Sequence, residues 1–428
     1  MSEGAGLRVR ETDADIVIIG GGASGLSLAH ALATSEGAGS CSYGSGKLSV
    51  ALVEAPEGPL RPAERTWCFW EEAAGEFDDA VTASWGRLRV HGPDGHVSGG
   101  GLGRLRYKMI RSAGFEQLVH ARLADLEHVR LLRATAHEVR ATADAAEVRC
   151  TTADGRAAHV RGRIVYDSRP LPSLPPARTT LLQHFRGWFV RTRRPAFDPE
   201  VADLMDFRVP QPPHGLAFGY VLPLGPRDAL VEYTRFSRAP LSRESYDRAL
   251  RHYTTDVLRL GALEIRDAEQ GVIPMTDARF PRHAGAGVFR IGAAGGATRP
   301  ATGYTFSASR RQTGGIAAAL RAGRSGAVPA PWSRRAMAMD AVMLRALDTG
   351  RVDGPRFFST LFRRTPPEQL LRFLDGRTGL FEDLRIGFAV PMWPMLRTAL
   401  ELPFLPRRPA GASRTAIAQA PVTGASPP

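Results

Sequence analysis

At 428 residues, with 43% hydrophobic and 23% charged side chains, the chain has the makeup of a globular protein of two or three substructures. That composition excludes a fibrous or largely disordered class. The formal net charge is +13, yet only Lys47 and Lys108 are lysines. The arginines are scattered and carry no nucleic-acid-binding motif, so no nucleic-acid partner is expected. Their excess reads either as a coding bias or as attraction to an anionic membrane surface or to cofactor phosphates. Cys41, Cys68 and Cys150 show neither a disulfide framework nor a metal-ligand spacing, so no metal site is expected. The N-terminus has no apolar signal-peptide core, and no apolar run approaches the roughly 18–20 residues that span a bilayer. The expected location is therefore cytoplasmic, with membrane contact at most peripheral.

In chain order, residues 15–19 (DIVII) read as a buried parallel strand, followed by Gly20-Gly21-Gly22-Ala23-Ser24-Gly25 and a helix over 26–33. A glycine- and serine-rich loop over 35–46 precedes a second strand, 48–53, that ends at Glu54. A helix is expected over 111–122, with strands at 129–132, 147–150 and 163–166 and a proline-rich joint at 169–176. Residues 181–237 look β-rich, and 243–259 look helical. A second glycine cluster, Gly292-Ala293-Ala294-Gly295-Gly296, follows a short strand and leads into a helix over 307–322. Residues 335–401 look mainly helical, and from about 407 the composition is that of a disordered tail.

Gly20-x-Gly22-x-x-Gly25 sits between strand and helix, the context a dinucleotide fingerprint requires. The first glycine permits the turn, the second lets backbone approach a pyrophosphate, and the third allows close helix–strand packing. The phosphates would sit at the positive helix end. Glu54 would accept the ribose hydroxyls; its separation from the glycines exceeds the usual spacing of about 20 residues, and the inserted loop accounts for the excess. The second cluster, with Gly292, Gly295 and Gly296, favours FAD over a nicotinamide. Where two-domain flavoproteins usually hold a ribityl hydroxyl with an acid, Ala293 stands instead. Arg111 reads either as a contact to the flavin's ribose or phosphates or as an exposed arginine opening a helix.

The expected fold class is thus α/β: a Rossmann-like FAD-binding domain in a two-domain, hydroxylase-like architecture, with a β-sheet substrate domain and a helical C-terminal part. The expected boundaries are 13–175 and 265–327 for the FAD-binding domain, 176–264 for the substrate domain, 328–406 for the helical region and 407–428 for the tail.

Several segments together give the chain a resemblance to the flavin-dependent bacterial lycopene β-cyclases. They include Arg65-Thr66-Trp67-Cys68-Phe69-Trp70, Gln183-His184-Phe185-Arg186-Gly187-Trp188, Met205-Asp206-Phe207-Arg208 and Tyr220-Val221-Leu222-Pro223-Leu224. Ala229-Leu230-Val231-Glu232-Tyr233-Thr234, Gly271-Val272-Ile273-Pro274-Met275, Thr302-Gly303-Tyr304-Thr305-Phe306 and Arg372-Phe373-Leu374-Asp375 continue the set in the expected order. The resemblance implies an enzyme of the intramolecular lyase or isomerase kind. It protonates each ψ-end of lycopene, closes a six-membered ring and removes a ring proton, without net redox change. It also implies reduced FAD as acid/base or cation stabiliser, and NADPH as a reductant that is not consumed stoichiometrically.

In the alternating strand, Leu230, Glu232 and Thr234 share one face, which by itself reads as a surface glutamate. The resemblance instead makes Glu232 the catalytic glutamate, with a pKa raised by an apolar tunnel, and leaves open whether it is the initial acid or the final base. Asp206 with Arg208 would support the polyene end or brace a turn. Trp67, Phe69, Trp70, Trp188, Phe218, Tyr220 and Tyr233 would face a carbocation or pack the core, and His184 would relay a proton or simply be hydrogen-bonded. Residues 388–396, apolar and flanked by Arg385 and Arg397, would dip into a membrane interface towards membrane-dissolved lycopene or form a packed helix pair. The competing readings are an FAD-dependent monooxygenase of the same fold and a non-catalytic carotenoid- or flavin-binding protein.

Overall fold

A computed structural model describes residues 10–34, 48–72, 74–324, 326 and 328–409. The expected loop at 35–46 and nearly all of the expected tail lie outside the described residues. The DIVII run ends the strand Arg10–Ile19, which pairs in parallel with Val50–Glu54 on one side and Ala157–Asp167 on the other. Val129–Ala141 and Val288–Arg290 extend the parallel order outward. Ala146–Thr152 runs antiparallel to both of the long strands 129–141 and 157–167, and His283–Gly285, antiparallel to Val288–Arg290, completes a seven-stranded sheet. The central run Ile16–Ile19 is buried on both faces, so its residues need no polar alternation. Ile16, Ile18 and Leu52 pack towards Phe115, Ile291 and Ile316, whereas Val17, Ile19 and Val53 pack towards Val148 and Val160.

The second seven-stranded sheet has the order Leu263–Thr276, Thr180–Thr192, Asp228–Ser237, Leu216–Pro223, Val201–Asp206, Arg87–His91, Val97–Gly101. Two expected boundaries need correction here. The joint at 264/265 falls inside the strand Leu263–Thr276, which pairs along its whole length with Thr180–Thr192 and so belongs to this sheet. The hairpin of Arg87–His91 and Val97–Gly101, placed by the sequence in the first unit, joins the sheet's far edge through Val201–Asp206. Local alternation marks a strand but does not name its partner, and the ladder crosses the expected boundaries.

One face of this sheet packs Trp188, Val231 and Tyr233 against Tyr246, Leu250 and Tyr253 of the segment that begins with helix Arg243–His252. The other face packs Phe218, Leu230 and Phe236 against Leu344, Phe357 and Leu370 of the C-terminal helices. A three-stranded sheet of Thr66–Glu72, Leu105–Arg111 and Val81–Trp85 contributes to two cores: Trp70 and Tyr107 to this one, Phe69 and Ile110 to that of the first sheet.

The C-terminal region is helical as expected: Arg334–Asp348, Gly354–Arg364, Pro367–Leu374, Leu380–Gly387 and Met392–Glu401. Ser333 and Asp353 cap the first two by accepting from the backbone N–H three residues on, and Pro355 sits in the first turn of the second. Among the described residues no helix is long and apolar enough to cross a membrane.

Candidate active site and cofactor cradle

Gly20 leaves its strand at φ +103°, a region that favours glycine, and its N–H donates to the Val53 carbonyl at 2.9 Å. A Cβ on Gly25 would fall 1.9 Å from the Gly20 carbonyl oxygen, so helix Ala23–Ala33 closes on its strand only through glycine. A Cβ on Gly22 would meet nothing within 4 Å. That open side lies at the helix N-terminus, where unpaired N–H groups and the helix dipole favour an anion. Gly21, which the fingerprint does not single out, is as constrained: its Cβ would sit 1.9 Å from Glu54 Oε1. Glu54 is buried at its strand end, with His120 Nε2 3.0 Å from Oε1 and Arg133 paired to Oε2.

The second glycine cluster packs directly on the first. Gly292 sits at φ +63°, a Cβ there would be 2.1 Å from Ser24 Oγ, and Ser24 Oγ donates to Ser309 Oγ at 3.0 Å. Gln312 Oε1 accepts from the Gly292 N–H at 2.9 Å. A Cβ on Gly295 would fall 2.5 Å from the Arg290 carbonyl oxygen, and Gly296 ends the short turn Gly292–Gly295 at φ +82°. Ala293 is exposed. Near the cluster, Gln183 Oε1 and Thr302 Oγ1 are buried without a hydrogen-bond partner, and a Cβ on Gly303 would fall 2.5 Å from that Gln183 oxygen. Open backbone at Gly22 and orphaned polar atoms beside the second cluster fit a dinucleotide with a polar ring system.

Arg111 begins helix Ser112–Leu123, as expected. Its guanidinium pairs with Glu64 and, at 3.1 Å, with Asp267, and lies 4.5 Å from the Phe189 ring centroid. No hydrogen bond from it reaches either glycine turn among the described residues. Its partners are far away in sequence, so their claim on the guanidinium could not be read from the helix start.

Glu232 lies on Asp228–Ser237, faces the side of the sheet that carries Leu230 and Phe236, and is 7% exposed. Its register partners are Gly187 on one side and Tyr220 on the other. Burial pushes its carboxyl up to about 8; the neighbouring Glu269 charge adds to the rise, and the hydrogen bond donated by Thr234 opposes it. Glu269 sits across Gly187 on the next strand and accepts from Thr66 Oγ1 at 2.6 Å. Burial raises it as well, to about 7, against the opposing hydrogen bond from Thr66 and the positive charge of Arg111. The sequence reading missed Glu269. Its only signal was its place just before the Gly271–Met275 segment.

Three hydroxyls from separate parts of the chain meet beside these carboxyls: Tyr107 OH lies 2.6 Å from Tyr220 OH and 3.1 Å from Tyr304 OH. Trp70 contacts Tyr304 edge-on at 4.7 Å between ring centroids. Burial raises the Cys68 thiol to about 12, so it stays a neutral neighbour of the tyrosines. Tyr304 is presented by a turn fastened at its base. The Arg299 carbonyl accepts from Gly303 N–H, and its N–H donates to the Tyr304 carbonyl, each at 2.9 Å. The buried Arg299 side chain pairs with Asp340 and donates to the carbonyls of Phe373 and Leu374.

Other expected residues sit elsewhere. Asp206 is buried on the opposite face of the sheet, where it accepts from Arg208 Nε at 2.8 Å and Tyr253 OH at 3.0 Å. A Cβ on Gly219, its register partner, would strike that Tyr253 ring, so Asp206 braces the far face and does not reach Glu232. This corrects the expectation that it supports the polyene end. His184, between Tyr246 OH at 2.6 Å and Ser237 Oγ at 2.8 Å, is held down to about 4 by burial. Trp188 and Tyr233 share that far core, and Trp67 and Phe69 pack on Phe306. Of the expected aromatics, Trp70 and Tyr220 join the hydroxyl cluster, and Phe218 packs the same face deeper in. No group of three or more potential metal ligands occurs among the described residues.

Residues 15–400 match the family model described as lycopene cyclase protein. The chain belongs to the lycopene cyclase family. The match takes in both glycine clusters, both raised carboxyls and the helices up to residue 400. No curated protein matches this cyclase-family chain. Among solved structures, p-nitrophenol 4-monooxygenase from Pseudomonas putida is similar with a TM-score of 0.59 at 15% identity, over 94% of this chain and 100% of that one. A geranylgeranyl bacteriochlorophyll reductase-like protein from Thermoplasma acidophilum gives 0.58 at 13%, over 92% and 100%. Aklavinone-11 hydroxylase in complex with FAD and aklavinone gives 0.54 at 16%, over 79% and 69%. At such identities the likeness establishes the fold, an α/β flavoprotein architecture of the hydroxylase kind with a helical C-terminal region.

Proposed function

We propose that this family member is a lycopene β-cyclase, which closes the ψ-ends of lycopene into β-ionone rings to give γ-carotene and then β-carotene. The observation that carries this reading is Glu232: a carboxyl raised to about 8 on a face bordered by tyrosines and tryptophan. A neutral carboxylic acid at physiological pH can exchange a proton with a carbon–carbon double bond, a step an ordinary surface glutamate could not serve.

The residues that would hold FAD are the Gly20, Gly22 and Gly25 turn for the pyrophosphate, Glu54 for a ribose, and Gly292, Gly295 and Gly296 with Gln183 and Thr302 towards the ring system. When bound, reduced FAD supplies acid/base capacity or negative charge beside the cation, with NADPH as the non-stoichiometric reductant. Glu232 exchanges the proton at the reacting end. The faces of Tyr220, Tyr304 and Trp70 stabilise the developing cation, each by about 0.5–2 kcal/mol. The same rings exclude water, which would otherwise capture the cation as an alcohol. Asp206 has no part in this scheme.

Substrate entry would use the C-terminal helices. Phe381 (87% exposed), Trp393 (83%) and Phe404 (87%) project from the segment that holds Leu380–Gly387 and Met392–Glu401, and Arg385 and Arg397 flank Trp393. Exposed aromatics beside arginines favour an anionic lipid surface on the cytoplasmic side, with peripheral binding. Of the 388–396 segment, Ala389, Val390 and Met395 pack on the core, which leaves the rest for that surface.

Anaerobic incubation of the protein with lycopene, FAD and NADPH is expected to give product of lycopene's own mass without stoichiometric NADPH oxidation. A product that requires O₂ and carries an added oxygen would instead favour the monooxygenase reading, which the solved structures of that fold keep open. An FAD-loaded protein that leaves lycopene unchanged would favour a binding role.

A further inference from the structure

Gly187 is the register partner of Glu232 on one neighbouring strand and of Glu269 on the other, so the two carboxyl side chains rise from the same sheet face on either side of a residue with no side chain. Adjacent strands lie about 4.8 Å apart, which puts the two glutamate backbones about 10 Å from each other. The Glu232 Cβ and Cγ lie only 3.5 and 3.6 Å from the point where a Cβ on Gly187 would stand, so the absence of a side chain there leaves the space between the two glutamates open. A side chain at 187 would part them, and its first atom would already be 2.7 Å from Leu230 Cδ1.

The two environments differ in kind. Glu232 is buried, with Thr234 as its donor and with Tyr304 and Cys68 nearby. Glu269 is partly exposed, with Thr66 as its donor and Arg111, Asp267 and Glu64 around it. The cationic Arg111 favours the charged form of Glu269, and nothing comparable stands at Glu232. Two like groups whose surroundings separate them form an acid–base pair.

We infer that Glu269 is a second catalytic residue of the cyclisation, the base that works with Glu232 as the acid across Gly187. This rests on the cyclase reading and assigns the order that reading leaves open. Glu232 gives its proton to the terminal double bond. The ring C–C bond forms with the electron pair of the next double bond. A ring C–H bond then breaks, its electrons form the ring double bond, and the proton goes to the Glu269 carboxylate. Return of one proton from Glu269 to Glu232 over the glycine restores both groups, so the product is an isomer and nothing is oxidised or reduced. Burial of both groups, together with the charge of Glu269 acting on Glu232, fits this division, since Glu232 is raised to about 8 and Glu269 to about 7.

The test compares wild type, Glu269→Gln, Glu269→Asp and Thr66→Val by cyclisation rate against pH, together with an infrared titration of the carboxyl C=O band. The pair predicts a bell-shaped wild-type profile that falls below about 7 and above about 8. Glu269→Gln should cut turnover about a hundredfold or more, lose the low-pH fall in its residual activity, and move the Glu232 titration downward. Glu269→Asp should restore part of the rate. Should Glu269→Gln not fold, Thr66→Val, which removes one hydrogen bond, should move the low-pH limb upward. A Glu269→Gln enzyme with wild-type turnover and an unchanged low-pH limb overturns the inference, and so does a Thr66→Val enzyme whose limb stays in place. If wild type itself produces no cyclised product, the cyclase reading fails. The infrared titration then still decides the pairing, which is overturned if Glu232 titrates identically with and without Glu269.

Discussion

At Glu232, desolvation outweighs every other influence. An ordinary glutamate titrates near 4.3, and burial followed by the repulsion of Glu269 carries this one to about 8. Two consequences follow with definite sign. Chemistry that needs the neutral acid holds below about 8 and declines as pH rises through it. For stability, the folded state keeps a proton that the unfolded chain releases at its ordinary value. The associated stabilisation is complete below about 4.3 and is lost progressively up to about 8. Glu232→Gln removes that loss. The variant is expected to match wild type in urea unfolding near pH 4 and to exceed it near pH 9 by on the order of a few kcal/mol. Its cyclisation rate should fall about 10²–10⁴-fold. A variant no more stable than wild type at high pH would show that the carboxyl is ionised at little cost.

At the scale of elements, the glycine turns separate packing from ligand approach. Gly25 is fixed by the protein itself, because its Cβ would meet the Gly20 carbonyl oxygen at 1.9 Å, whereas Gly22 faces open space. Gly25→Ala should therefore lower apoprotein stability by about 1–3 kcal/mol. Gly22→Ala should leave it within about 0.5 kcal/mol of wild type yet weaken FAD retention tenfold or more. Thermal unfolding without FAD and flavin fluorescence titration separate the two. Equal loss of apoprotein stability in both variants would contradict the assignment of the open side. The second sheet shows what element-level pattern leaves undecided. Alternation would group Asp206 with Leu204, which faces the C-terminal helices as Leu230 does. A register irregularity after Asp203 turns Asp206 to the other face, and alternation alone cannot say which face His184 meets. Hence Asp206 and His184 fell in with the reactive residues by sequence, and the fold places them behind the sheet.

At the scale of the whole molecule, the C-terminal helices do two things. Inward, Asp340 and the carbonyls of Phe373 and Leu374 hold Arg299, and through it the turn that presents Tyr304. Outward, Phe381, Trp393, Leu400 and Phe404 remain exposed. A triple change, Phe381→Ser, Trp393→Ser and Phe404→Ser, is expected to reduce flotation with anionic vesicles at least tenfold. It should leave the unfolding midpoint near wild type, because these side chains pack against little of the protein. Undiminished flotation would place the lipid contact elsewhere.

The sequence alone determined the cofactor-type fold and its two glycine turns, because the turn, the helix start and the close strand–helix approach each depend on a few neighbouring residues. It also determined that Glu232 shares a face with Leu230 and Thr234. Tertiary structure alone decided that this face is buried. It also brought Glu269 across Gly187 through the register of a strand whose place in the sheet the sequence boundary had missed, and gathered Tyr107, Tyr220 and Tyr304 from three distant segments. Desolvation and strand register are properties of what lies opposite a residue in space. A chain read in order shows only what lies beside it.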